Sequence, residues 1–195
     1  MINFKDILDY WFGDEPDDLK VIKQNSSLWF GKDEQIDRTI KQRFESMIDS
    51  VSRDKIMPVR DSLAQIILLD QFTRNIYRNR STAFAFDPVA LQIALEGVED
   101  ALDRQLRPVE RVFYYLPLEH SEKLENQNHS VELFRSLAAE VPATWQSAFT
   151  GFTDYAVRHQ VIIERFGRFP HRNEILGRKS TTEELDFLKQ PGSSF

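Results

Sequence analysis

Apolar residues recur along most of this chain at spacings of three and four, the period that gathers them on one face of an α-helix. Phe4, Ile7, Leu8 and Trp11 make the first such stripe, with Asn3 placed to cap it and Gly13 placed to end it. The run Gly-Asp-Glu-Pro-Asp-Asp from Gly13 reads as a turn or loop, and a short segment carrying Leu28, Trp29 and Phe30 follows. From Asp33 to Val51 the positions Ile36, Ile40, Phe44, Met47, Ile48 and Val51 predict a strongly amphipathic helix. Pro58 opens the next helix, which runs to about Tyr77. On it Leu63, Ile66 and Ile67 surround Asp70 and Arg74, while Leu68, Leu69, Phe72 and Ile76 cover the other side. A helix apolar on both sides is normally central.

Asp87-Pro88 is a start signal, with Asp87 as N-cap and proline at the first helical position, and Ala90, Leu91, Ala94, Leu95, Val98, Ala101 and Leu102 continue that helix. Pro108 starts a short helix through Val112, Phe113 and Leu116, which Pro117 kinks or ends. Leu124, Val131, Phe134 and Leu137 carry another to about Ala139, broken by Val141-Pro142. The longest stripe runs from Thr144 to Phe166 through Trp145, Ala148, Phe149, Phe152, Ala156 and Ile163, with Gly167 as its C-terminal cap. Thr181 and Glu184 have the capping-box spacing of a last short helix. No stretch shows a convincing period of two. The reading is an all-α fold, one domain over residues 1–195, with short connections that make antiparallel neighbours in a bundle or a stack of helix pairs.

Composition fits that reading and narrows the partners. Hydrophobic residues make up 41% and charged residues 29%, with only 7 Gly and 8 Pro, so the chain is globular and not disordered. A net charge of -6 argues against a general binder of nucleic acid or membrane surface, since both are anionic. The average conceals a reversal: residues 158–179 hold six basic and two acidic side chains, +4 locally and -10 for the remainder. A local positive field on an acidic protein suits a small anionic molecule or an acidic peptide. Without cysteine there is no disulfide, zinc ribbon or thiol catalysis. Lys5, Asp6 and Asp9 rule out a signal-peptide reading of the N-terminus, and the longest aliphatic run, Ile66 to Leu69, is far below the roughly 20 residues that span a bilayer. A cytoplasmic protein is expected.

The basic segment contains the most concentrated candidate chemistry. Phe166 and Phe169 anchor a turn on which Arg168, His171, Arg172 and Asn173 present donors. Arginine forks match carboxylate and phosphate, although the same arginines also serve to tie up helix carbonyls and acidic side chains. Asp70 and Arg74 are four apart on one helical face, either bracing the central helix or presenting Arg74 to a cavity, with Asn75 extending the polar group. His120 and Glu122 lie just beyond Pro117, where they either brace a helix end or form a proton-transfer pair, and no second clustered histidine supports a metal site. His159 sits on the apolar stripe of the longest helix, the usual place of a core histidine, and lines any cavity that reaches down that helix. There is no Walker loop, no Gly-x-Gly-x-x-Gly and no Gly-x-Ser-x-Gly, and no cofactor is implied.

Assembled in order, these stretches resemble a known family. Tyr10-Trp11-Phe12-Gly13, Trp29-Phe30, Leu68 through Asn75, Ala83-Phe84 with Asp87, Leu116 through Glu122 with Gln127, and His159 followed by Ile163 through Asn173 and Leu176-Gly177-Arg178 are similar to the motifs of the domain of unknown function 924, a mostly bacterial group. Thr73 and Leu118 depart from it, where the family often has proline and phenylalanine. The resemblance implies a tetratricopeptide-like superhelix, although no strict repeat is visible in this sequence. It implies no activity.

Three functions remain in view. The leading expectation is a binding protein whose concave surface receives a small anionic ligand or acidic peptide end through Asp70, Arg74, Asn75, His120, Glu122, His159, Arg168, His171, Arg172 and Asn173. The second is an enzyme with His120 or His171 as acid or base near Glu122 or Asp70. The third is a structural protein, in which internal salt bridges consume all the arginines. Exposed Phe-bearing helix faces would allow a homodimer.

Overall fold

The first helix, α1 (Phe4–Phe12), buries Ile7, Leu8, Trp11 and Phe12, and Gly13 closes it at φ 71°, a conformation that suits glycine. The computed structural model describes residues 3–49, 51 and 57–194, and all regular elements among them are helical. α2 (Asp18–Phe30) spans the segment in which the sequence signals only Leu28, Trp29 and Phe30. Its buried positions are just Asp18, Val21 and Trp29, too thin a stripe to register as periodic, and the Asp17 side chain caps its Lys20 amide. α3 (Glu34–Ile48) is capped by Asp33, whose carboxylate accepts from the amides of Gln35 and Ile36. It ends at Ile48, so Val51 lies beyond the helix.

The central rod is continuous but not uniform. α4 (Val59–Ile66) passes into a π-helical turn, Ile67–Phe72, and then into α5 (Thr73–Ile76), and all six residues of the π turn are buried. Such turns strain the backbone ladder and recur at functional sites. α6 (Asp87–Glu99) corrects one expectation: Phe86 holds the cap position and Asp87 is the first helical residue, because the Asp87 carboxylate is drawn away to Arg74. α7 (Pro108–Glu119) is not ended by its proline. It runs on through Pro117 for two more residues, and its side chains from Val109 to Glu119 are all buried, so packing outweighs the missing amide.

α8 (Leu124–Glu140) packs extensively on α7 and on α9 (Gln146–Phe166). Gly167, at φ 67°, ends α9 and returns its amide to the Ile163 carbonyl. A short 3-10 turn, Pro170–Arg172, and α10 (Thr182–Phe187), with the Thr181–Glu184 capping box, complete the described chain. One core joins α1 to α9. At its centre Trp11 meets Phe72 and Phe113 edge-on at 5.3 and 5.6 Å, while the Trp29 indole donates to the Trp11 carbonyl. A satellite cluster of Ile162, Ile163 and Phe169, with Phe166 and Phe187, seats the segment after α9.

Candidate functional site

Asp70 forms the floor of the site because the π turn holds it wholly inside the protein, at 0% exposure. A buried carboxylate must be fully hydrogen-bonded, and this one is. Gln71 Nε2 donates to Oδ2 at 2.6 Å, His120 Nδ1 lies 2.8 and 2.9 Å from the two oxygens, and the Arg74 guanidinium approaches to 3.3 Å. Burial opposes ionisation, but Arg74, His120 and Gln71 outweigh it and hold the carboxyl well below its ordinary value. Arg74 continues outward to Asp87 through two parallel hydrogen bonds of 3.0 Å.

His120 follows the last residue of α7, and its contact with Asp70 decides its tautomer. Nδ1 faces an ionised carboxylate and therefore carries the hydrogen, which leaves the lone pair on Nε2. Burial pushes the imidazole pKa down, Arg74 and Arg172 push the same way, and Asp70 opposes them without reversing the direction. The ring is thus a neutral base at neutral pH, with its side chain 15% exposed.

Behind His120 lies a second His–carboxyl contact of different character. His159 Nδ1 is 2.9 Å from the Tyr155 carbonyl and 3.1 Å from Glu119 Oε1. The spacing is that of an ion pair, yet burial raises the Glu119 carboxyl to about 8, with the Asp70 charge adding to it. Burial also drives His159 well below its ordinary value. The contact is therefore between a neutral acid and a neutral imidazole. The two histidine rings are 6.2 Å apart, and Phe169 stands edge-on to His159 at 5.5 Å.

The segment after Gly167 closes over these groups and is sewn to the α7–α8 turn. Glu122 accepts the Phe169 amide at 2.8 Å and a forked pair from Arg178 at 2.6 and 3.0 Å. Burial works against the Glu122 charge, and these bonds outweigh it to lower the pKa. Arg172 Nη1 donates to the His120 carbonyl at 3.0 Å, and its guanidinium lies 4.8 Å from the Phe84 ring centre and 4.4 Å from that of Phe169. Its nearest carboxylate is Asp87 at 3.8 Å, already forked to Arg74. Arg172 Nε is buried and has no hydrogen-bond partner among the described residues. Burial, with Arg74 repelling it, brings this guanidinium down to about 10.

Asp70, Arg74, His120, Glu122, His159 and Arg172 thus converge, from four separate stretches of chain. His171 adjoins them, its ring 5.6 Å from Phe169 and its pKa lowered to about 4 by burial and then by Arg172. The other candidates face elsewhere. Arg168 is forked to Glu184 and donates to the Lys179 carbonyl, Asn173 donates to Ser180, and Asn75 joins Arg78 on Asp37. Asn75 also lines a surface depression of about 250 Å³ with Asp37 and Arg38, next to one of about 430 Å³ on the exposed face of α3. Those depressions share none of the converging residues. Sequence reasoning did not place Asp87, Glu119 or Phe84 in the site. Asp87 was hidden by its proline, which makes it resemble a cap, and Glu119 carries no signal beyond its adjacency to His120.

The family model described as a bacterial protein of unknown function (DUF924) matches residues 7–192. The chain belongs to the DUF924 family. A solved structure, that of a protein of unknown function, ATU0120, from Agrobacterium tumefaciens, is similar at 33% identity and a TM-score of 0.78. The likeness covers 95% of this chain and 96% of that one. No match was found among curated proteins. The DUF924 match spans both sides of the site, from the Leu68–Asn75 rod to the Phe166–Asn173 turn. Among the described residues no helix is long and apolar enough to cross a membrane, and no three His, Asp or Glu side chains are grouped as metal ligands.

Proposed function

We propose that the chain binds a small anionic molecule at the Arg172–His120 cluster. One observation carries this reading: Arg172 is a buried cation whose nearest carboxylate is shared, whose Nε is unbonded among the described residues, and whose guanidinium carbon lies over the Phe84 and Phe169 rings. A buried charge without a close counterpart raises the energy of the fold, and an anion placed against it relieves that cost. Internal pairing explains Arg74, Arg168 and Arg178, each of which is forked to a carboxylate. It does not explain Arg172. The side chains of Arg74, Asp87 and His120 are 22, 21 and 15% exposed, so solvent meets the cluster over a narrow front. That front suits one carboxylate, sulfate or phosphate group better than a length of peptide.

Thermal unfolding in sulfate, phosphate and acetate tests the reading. An anion at 100 times its dissociation constant should stabilise the fold by about 2.7 kcal/mol, raising Tm by about 5 to 10 °C for a domain of this size. The Arg172→Lys variant should lose most of that shift, because lysine offers no planar fork. Equal shifts in the variant, or none with any of the three anions, would refute it.

A further inference from the structure

The charges of the cluster balance in number before any ligand arrives, although Arg172 has no close counterpart of its own. Asp70, Asp87 and Glu122 supply three carboxylates, and Arg74, Arg172 and Arg178 supply three guanidiniums. Three imidazoles stand among them, those of His120, His159 and His171, and burial depresses the pKa of each. An anion entering this cluster leaves it with excess negative charge in a poorly solvated place, and charge of that kind draws in a proton. His120 is the group placed to take it. Its Nδ1–H is locked onto Asp70, its backbone carbonyl receives Arg172, and Nε2 holds the lone pair.

We propose that His120 is a proton-transfer group, taking up a proton at Nε2 as an anion binds beside Arg172. This rests on the anion-binding reading above and adds a chemical capacity to it. When Nε2 is protonated the imidazolium keeps its Nδ1–H bond to Asp70, so the carboxylate steadies the new charge without moving. The imidazole thereby becomes an acid held against the bound molecule, able to return the proton to that molecule as its charge or bonding changes. The groups that face His120 assign it this task. From the π turn Asp70 favours the proton; burial, Arg74 from α5 and Arg172 from the 3-10 turn act against it, while His171 on that turn, lowered to about 4, is neutral. From α9 His159 is neutral, as is Glu119 at the end of α7, so neither supplies the missing charge. An anion against Arg172 offsets the two guanidiniums that, together with burial, hold the imidazole neutral. The coupling is reciprocal, so protonation of His120 tightens anion binding to the same extent.

Sulfate, which has no proton of its own to exchange near neutral pH, is the suitable probe. Titration calorimetry at neutral pH in two buffers of different ionisation heat gives the protons taken up per sulfate bound. The wild-type protein should take up more than about half a proton per sulfate, and its affinity should fall up to about tenfold per pH unit above neutrality. His120→Gln should bind sulfate more weakly than the wild type, with uptake near zero and little pH dependence. The ¹⁵N resonances of His120 in the unaltered protein provide a readout that needs no variant, moving from the Nδ1–H form to the doubly protonated form as sulfate is added. Binding without uptake, or with uptake unchanged in His120→Gln, overturns this proposal and leaves the binding reading standing. Absence of sulfate binding altogether overturns this proposal, and the binding reading falls with it when phosphate and acetate are silent as well.

Discussion

Replacing Glu119 by glutamine isolates the energetic cost of the buried acid. The carboxyl is 4% exposed and burial raises it to about 8 from an ordinary 4.5. The unfolded chain releases this proton first, so between these two values the native state holds more protons and stability falls as pH rises. Above about pH 8 this group adds no further change. At about 1.4 kcal/mol per unit, the interval from 4.5 to about 8 corresponds to a penalty on the order of 5 kcal/mol. Glutamine keeps the size and an oxygen that can accept from His159 Nδ1, but it cannot ionise. Its amide protons need an acceptor, a cost of about 1 kcal/mol or more. Urea unfolding of both proteins from about pH 5 to about pH 9 measures the difference directly, and every other titrating group cancels in the comparison. Glu119→Gln should be close to the wild type near pH 5 and more stable by about 3 kcal/mol near pH 9. A difference that stays constant within about 1 kcal/mol over that range would refute the assignment of a buried neutral acid.

Other variants test separate parts of the molecule. Asp70→Asn removes a wholly buried charge bonded to Gln71, His120 and Arg74, and should lower stability in urea by about 3 to 5 kcal/mol; a loss below about 1 kcal/mol would show that Asp87 alone suffices for Arg74. Glu122→Gln weakens the clamp on Arg178 and the Phe169 amide, so hydrogen exchange over residues 167–178 should quicken while α4 keeps its protection. Uniform acceleration throughout the chain would show that the segment does not open on its own. Gly97→Ala places a methyl group 1.8 Å from the Tyr114 hydroxyl where α6 meets α7, and calorimetric unfolding should show a loss of about 1 to 3 kcal/mol.

The helices were legible where burial is one-sided and periodic, as in α3, α8 and α9. They were not legible where tertiary contacts replace local signals. α2 buries too few of its residues to show a stripe, and α7 passes through a proline that local rules treat as a boundary. The π turn has no sequence signature either, yet it carries Asp70 to the foot of the site. The candidate site itself was readable as residue types, since the arginines, histidines and Asp70 stood out from their neighbours. What local reading lacked was partner choice. Arg168 and Arg172 are four residues apart and chemically identical, but one reaches Glu184 and the other is shut between two phenylalanines. The pairing of His120 with Asp70 joins positions 50 residues apart and depends on how α7 crosses the central rod. The neutral state of Glu119 comes chiefly from its burial, with the Asp70 charge adding to it.

The central claim is that an anion is received against Arg172. The most direct measurement is an NMR titration of the ¹⁵N-labelled protein, including its arginine Nε resonances, with sulfate. The account predicts one saturable set of shifts centred on Arg172 Nε, His120 and Phe84, absent from Arg172→Lys. Shifts scattered over exposed basic side chains without saturation, or an unmoved Arg172 Nε, would contradict it.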